Sequence, residues 1–151
     1  MINTKSKAFC MIPWVSMHVV PDGSAYPCCA FESTMPLGNV KTSSINEIFN
    51  NTNFKNVRNS MRRNMKHPGC ANCYKSDEMF GSSARQSFNE EFADFYNESI
   101  NSTNPDGSIN EPKIRYLDVR FSNICNMKCR MCEAGCSSLW GQELKQHNNS
   151  E

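Results

Sequence analysis

Nine cysteines among 151 residues constrain this chain more than any other feature. They form two groups: Cys10, Cys28, Cys29, Cys70 and Cys73 in the first half, and Cys125, Cys129, Cys132 and Cys136 towards the end. An odd count does not close as a set of disulfides. The opening stretch MINTKSKAFCMIPW holds no apolar run of signal-peptide length. No segment approaches the ~20 apolar residues that span a bilayer. The expectation is a cytoplasmic chain, in a reducing compartment where clustered thiols serve as metal ligands more often than as bridges.

Composition narrows the function classes. Sixteen basic residues against 15 acidic ones give a net charge of +1. So even a balance offers no whole-chain field for nucleic acid or an anionic membrane, and neither is expected as a partner. Hydrophobic residues make up 38% of the chain. That is a thin core for this length, so metal sites are expected to help hold the fold.

Hydrophobic periodicity predicts a β-hairpin over residues 8–31. Val15, Met17 and Val19 alternate with Ser16 and His18, Pro21-Asp22-Gly23 turns, and the return strand runs from Ser24 to Cys29. Residues 44–66 predict two short helices broken at Asn50 to Asn53. Ser44 and Glu47 have capping-box spacing. Ile45, Ile48, Phe49, Phe54, Val57, Met61 and Met65 form the apolar face, and Lys55, Arg58, Arg62, Arg63 and Lys66 a solvated basic face. His67-Pro68-Gly69 ends this helix and delivers Cys70 and Cys73. A further helix is expected from Ser82 to about Ile100, with Phe88, Phe92, Phe95 and Ile100 inward. Residues 101–112 are turn-rich and read as a linker or exposed loop. A strand follows over Ile114 to Phe121, with Leu117, Val119 and Phe121 on one face and Tyr116, Asp118 and Arg120 on the other. A final helix starts near Cys136, with Leu139, Trp140 and Leu144 as its apolar face and a polar end from Gln146 to Glu151.

Between that last strand and helix lies Cys125-Asn126-Met127-Lys128-Cys129-Arg130-Met131-Cys132, a C-x3-C-x2-C run. Three thiolates on so short a loop can wrap one cubane cluster and leave one iron open to a ligand. The competing reading is a four-coordinate zinc site with Cys136 as the fourth ligand. Without that role, Cys136 is expected as a small buried residue on the first turn of the helix. The loop resembles the signature of the radical S-adenosylmethionine (SAM) superfamily. The resemblance implies that Cys125, Cys129 and Cys132 bind a [4Fe–4S] cluster whose open iron chelates SAM. It further implies reductive cleavage of SAM to a 5′-deoxyadenosyl radical. Met131 stands where that family often has an aromatic residue near the adenine. Asn126 and Lys128 share the loop and are candidates for positioning the cluster. Asp118 and Arg120 would face the barrel interior and pair with each other.

Cys70 and Cys73 form a C-x2-C pair, and the hairpin brings Cys10 near Cys28. Cys28 and Cys29 should point to opposite strand faces, so one of them, preferably Cys28, is a ligand. The succession CMIPWVSMHVVPDGSAYPCC, LGNV, SINEIFNNTNFKNVRNSM and CANC, over about residues 9–75, resembles the twitch/SPASM module of radical SAM proteins. The resemblance implies an auxiliary [4Fe–4S] cluster on Cys10, Cys28, Cys70 and Cys73. A zinc-ribbon-like site on the same thiolates is the alternative.

The expected fold class is α/β. A small α+β iron–sulfur module (1–100) is joined by a linker (101–112) to the first βα unit of a radical SAM partial TIM barrel (113–151). From Ile114 onward 38 residues remain, enough for one βα unit, and no Gly-Gly segment is present to hold the SAM amino group. The expectation is therefore the N-terminal part of a longer radical SAM enzyme, inactive by itself. Its expected partners are SAM, a reducing electron donor and a peptide or protein substrate. A non-catalytic zinc- or iron–sulfur-binding structural or electron-transfer module is the alternative.

Overall fold

Proline at position 13 has its φ preset for a helical turn. The chain accordingly enters the hairpin through a single turn, α1 (Ile12–Val15), rather than as strand from Val15. The computed structural model describes residues 6–148, so the first five residues of the opening stretch and the last three of the polar end lie outside the described residues. Four short strands follow: β1 (Ser16–Val19), β2 (Ser24–Tyr26), β3 (Gly38–Asn39) and β4 (Tyr116–Val119). They form one mixed sheet in the order β3-β2-β1-β4. β1 and β2 pair antiparallel with His18 opposite Tyr26, and Gly23 in the turn between them takes φ +89°. β1 and β4 pair in parallel, with His18 opposite Asp118.

The parallel partner explains why the alternation in β1 does not produce a solvated face. With strands on both sides, all four β1 residues are buried. His18 Nδ1 lies 2.8 Å from Asp118 Oδ2, so Asp118 pairs with His18 and not with Arg120 as expected. The return strand stops at Tyr26 because Pro27 has no amide to donate to the ladder.

Helices α2 (Ile45–Phe49) and α3 (Thr52–Arg62) divide as expected. Ser44 and Glu47 form a full capping box, and the Asn51 side chain caps α3 by accepting from the Phe54 amide. Ile48, Phe49, Phe54, Val57 and Met61 are buried, whereas Ile45 and Met65 are exposed. The basic face needs a correction at Arg58, which is fully buried. Its guanidinium donates to the carbonyls of Pro13 (2.9 Å), Gly107 (2.9 Å) and Phe49 (2.7 Å), and lies 4.3 Å from the Phe49 ring centroid. Those acceptors satisfy a buried cation without a carboxylate.

A 3-10 turn (Pro68–Cys70) leads into α4 (Ala71–Phe80), which the sequence reading did not anticipate. The helix expected from Ser82 to Ile100 is instead α5 (Ala84–Glu91), a 3-10 turn (Ala93–Phe95) and α6 (Tyr96–Asn101). Among its four expected inward residues only Phe92 is buried, and the rest are half-buried.

Residues 101–112 do not form a free linker. Thr103 and Ile109 bridge and are buried, Asn59 donates to the Asp106 carbonyl, and Lys55 pairs with Asp106 at 3.0 Å. Ser108 and then Lys55 hold the Asp106 carboxyl well below its usual range. The first unit accordingly takes in Gly23–Val119, this stretch and β4 included, together with the segment before Val20.

The second unit comprises Val20–Asp22 and the segment from Arg120, with α7 (Ser138–Asn148) as its helix. Leu139 and Trp140 are half-buried and Leu144 is exposed. Cys136 is exposed rather than buried, because it precedes the helix in a turn, and Arg120 Nη1 lies 3.5 Å from its sulfur.

Candidate metal centre

Four local structures deliver the first group of thiols. Cys10 precedes α1, Cys28 lies in the turn that Pro27 forces after β2, Cys70 closes the 3-10 turn, and Cys73 sits in the first turn of α4. All four line one pocket, with Ile12, Phe31 and Met61 among its apolar walls. Cys29 is exposed and is not among the lining residues. Cys28 and Cys29 diverge because they occupy a turn, not because a strand alternates through them. Gly69 is required where the chain comes up to Cys70. A Cβ there would stand 2.1 Å from Phe31 Cζ, so only glycine lets the 3-10 turn close on this wall.

Burial governs the chemistry of these thiols. Desolvation pushes all four up, Cys28 to about 11 and Cys70 to about 12. Cys28, Cys70 and Cys73 each also raise at least one other pocket thiol electrostatically. Hydrogen-bond donors work against this. The backbone N–H groups of Ile12, Ala30 and Arg85 serve Cys10, Cys28 and Cys73, and the Tyr74 hydroxyl lies beside Cys70. The pocket therefore combines partial desolvation of the thiols with backbone N–H groups aimed at Cys10, Cys28 and Cys73.

The second group sits on the loop between β4 and α7. The start of α7 ties that loop down. Ser138 Oγ accepts from the Cys125 amide at 3.2 Å, Ser137 Oγ donates to Met127 O at 2.9 Å, and Trp140 Nε1 donates to Cys129 O at 3.0 Å. Lys128 forms an ion pair with Glu143 of α7. Cys132 donates its amide to Cys129 O, closing a tight turn between two of the thiols. Cys125 and Cys132 are half-buried, Cys129 is exposed, and the Met131 side chain is fully exposed.

Residues 10–74 match the SPASM family model, an iron–sulfur cluster-binding domain. The matched segment encloses all four pocket thiols, and the match implies iron–sulfur binding. No curated protein and no solved structure matches the chain.

The donor set of the matched segment fits such a group. Among the described residues, no three His, Cys, Asp or Glu side chains are grouped so as to hold a metal ion. Four cysteine thiols that line one pocket are the ligand type an iron–sulfur cluster takes.

Two residues of this site escaped the sequence reading. Tyr74 is buried, donates to Ala8 O at 3.0 Å and reaches Cys70. Arg85 lines the pocket and pairs with Asp77 at 2.6 Å. Tyr74 directly follows the C-x2-C pair, which is the signal that would have found it. Arg85 lies 12 residues beyond Cys73, on a helix with no other mark of the site.

Proposed function

We propose that this chain carries the iron–sulfur sites of a radical SAM enzyme. In this reading Cys10, Cys28, Cys70 and Cys73 close an auxiliary [4Fe–4S] cluster, and Cys125, Cys129 and Cys132 hold a second cluster with one open iron. The observation that carries the proposal is the convergence of four thiols, one buried and three half-buried, on one pocket inside the segment that matches SPASM. SPASM domains occur in radical SAM enzymes, and the three-cysteine loop follows β4 and precedes α7 as that superfamily's motif would. Bound there with SAM on its open iron, a reduced cluster supplies the electron that splits the sulfonium into methionine and a 5′-deoxyadenosyl radical.

The chain's own residues have narrower tasks. Ser137, Ser138 and Trp140 fix the loop backbone around Cys125, Met127 and Cys129, which limits what must reorder to the side chains. Lys128 is held by Glu143, which leaves it positioning the loop rather than approaching SAM. The four-thiol site has no free ligand position, which suits electron transfer or support of a substrate site. A peptide or protein substrate and a low-potential electron donor complete the proposal.

The test is EPR of the anaerobically reconstituted and reduced chain, with and without SAM. A cubane signal that changes on adding SAM, and that disappears in the variant with Cys125, Cys129 and Cys132 replaced by alanine, supports the reading. Stoichiometric zinc in chain purified without oxygen, with no acid-labile sulfide, refutes it.

A further inference from the structure

Among the described residues that line the four-thiol pocket, Arg85 is the one with a positive charge. Its side chain is nearly sealed from solvent, at 6% exposure. Nη1 donates to Phe9 O at 2.9 Å, while Nε and Nη2 reach Asp77 Oδ2 at 2.8 and 2.6 Å. Asp77 sits on α4, one turn beyond Cys73, and its other oxygen is buried without a hydrogen-bond partner. The Arg85 backbone amide serves Cys73, so the start of α5 presents both a donor and a cation to the site. Arg85 acts electrostatically on Cys70 and Cys73, and Asp77 on Cys73. A buried ion pair is costly, and apolar residues would fill the same volume more cheaply. Its place beside the thiols calls for an electrostatic role.

We infer that the Arg85–Asp77 pair sets the one-electron potential of the cluster held by Cys10, Cys28, Cys70 and Cys73. The inference rests on the iron–sulfur reading of that site. A cubane on four thiolates is anionic, and it gains one further negative charge when it accepts one electron from a low-potential donor. No other bond is made or broken. In a poorly screened interior the Arg85 cation favours the reduced form, and the Asp77 carboxylate opposes it. The two residues therefore act with opposite sign, and a purely structural pair would not.

The experiment uses the full chain with Cys125, Cys129 and Cys132 replaced by alanine, so that only the four-thiol site titrates. The chain is reconstituted with iron and sulfide and titrated with dithionite and mediators, with the reduced cluster read by EPR. Arg85→Gln is expected to lower the reduced-to-oxidised ratio about tenfold at fixed potential, which is about 59 mV more negative. Asp77→Asn is expected to move it the other way, and Arg85→Lys to stay close to the parent. Should Arg85→Gln lose its cluster, Asp77→Asn carries the test alone. Arg85→Gln and Asp77→Asn shifting in the same direction, or either of these two holding full iron without a shift, overturns the inference. A parent chain that takes up neither iron nor sulfide instead overturns the reading of the site itself.

Discussion

Cys28 lines the four-thiol pocket, while Cys29, its neighbour in sequence, is exposed. The turn after Pro27 separates their sulfurs, and only the inner one receives the Ala30 amide. Replacing Cys28 by alanine is therefore expected to abolish iron retention at this site. Replacing Cys29 should leave iron content and the visible spectrum unchanged. Iron and sulfide assays on the two variants, purified in parallel, make the comparison.

How far the sequence reveals this site follows from the range of each interaction. The C-x2-C pair, the Ser44–Glu47 capping box and the Asn51 cap involve residues within a turn of each other, and local spacing makes them visible. Two of the three partners of Arg58, Pro13 and Gly107, are each more than 40 residues away, so helical periodicity alone puts its charge in solvent. The pairing of β4 with β1 joins segments about 100 residues apart. It draws Asp118 to His18 and makes residues 101–112 part of the first unit instead of a linker. Pro13 does carry a local signal, since it favours the first turn of a helix over mid-strand. Val15-Met17-Val19 alternation masks it, because half-buried strands and short helical turns share apolar spacing.

Gly69 faces Phe31, and any Cβ must displace that ring or the turn that carries Cys70. The ring stacks on His67 with centroids 5.7 Å apart, so it has little room to retreat. Gly69→Ala is expected to cost about 1–3 kcal/mol by overpacking. It should also lower cluster occupancy, because Phe31 and Cys70 both belong to the pocket wall. Denaturant titration of the metal-free chain and iron assay of the reconstituted one measure the two effects separately.

Arg58 holds three backbone carbonyls from three separate segments. Truncation to alanine leaves all three buried without donors and opens a cavity beside Phe49 and Phe54. The expected loss is about 3–5 kcal/mol, comparable to breaking a buried ion pair. Arg58→Lys should recover only part of it, since one ammonium does not span the three acceptors as the planar fork does. Urea unfolding followed by tryptophan fluorescence reports both values, Trp14 being fully buried in the same core.

Burial lifts the Cys28 and Cys70 thiols from 9.0 to about 11 and about 12. In the metal-free, reduced chain the folded form keeps protons that the unfolded form releases above pH 9.0. The stability this confers is complete below that pH and is lost as pH rises through about 11 and then about 12. Serine at both positions should flatten the decline. Ligated thiolates carry no proton, so the iron-loaded chain should not show it. Unfolding midpoints across this alkaline window, with and without iron, check the sign.

Counting iron and acid-labile sulfide per chain, in the parent and in the Cys125→Ala, Cys129→Ala, Cys132→Ala variant, tests the central claim most directly. The expected result is about eight irons with matching sulfide in the parent and about four in the variant, as two cubanes require. Zinc in place of iron, sulfide absent, or iron lost from both sites together on removing the loop thiols would contradict it.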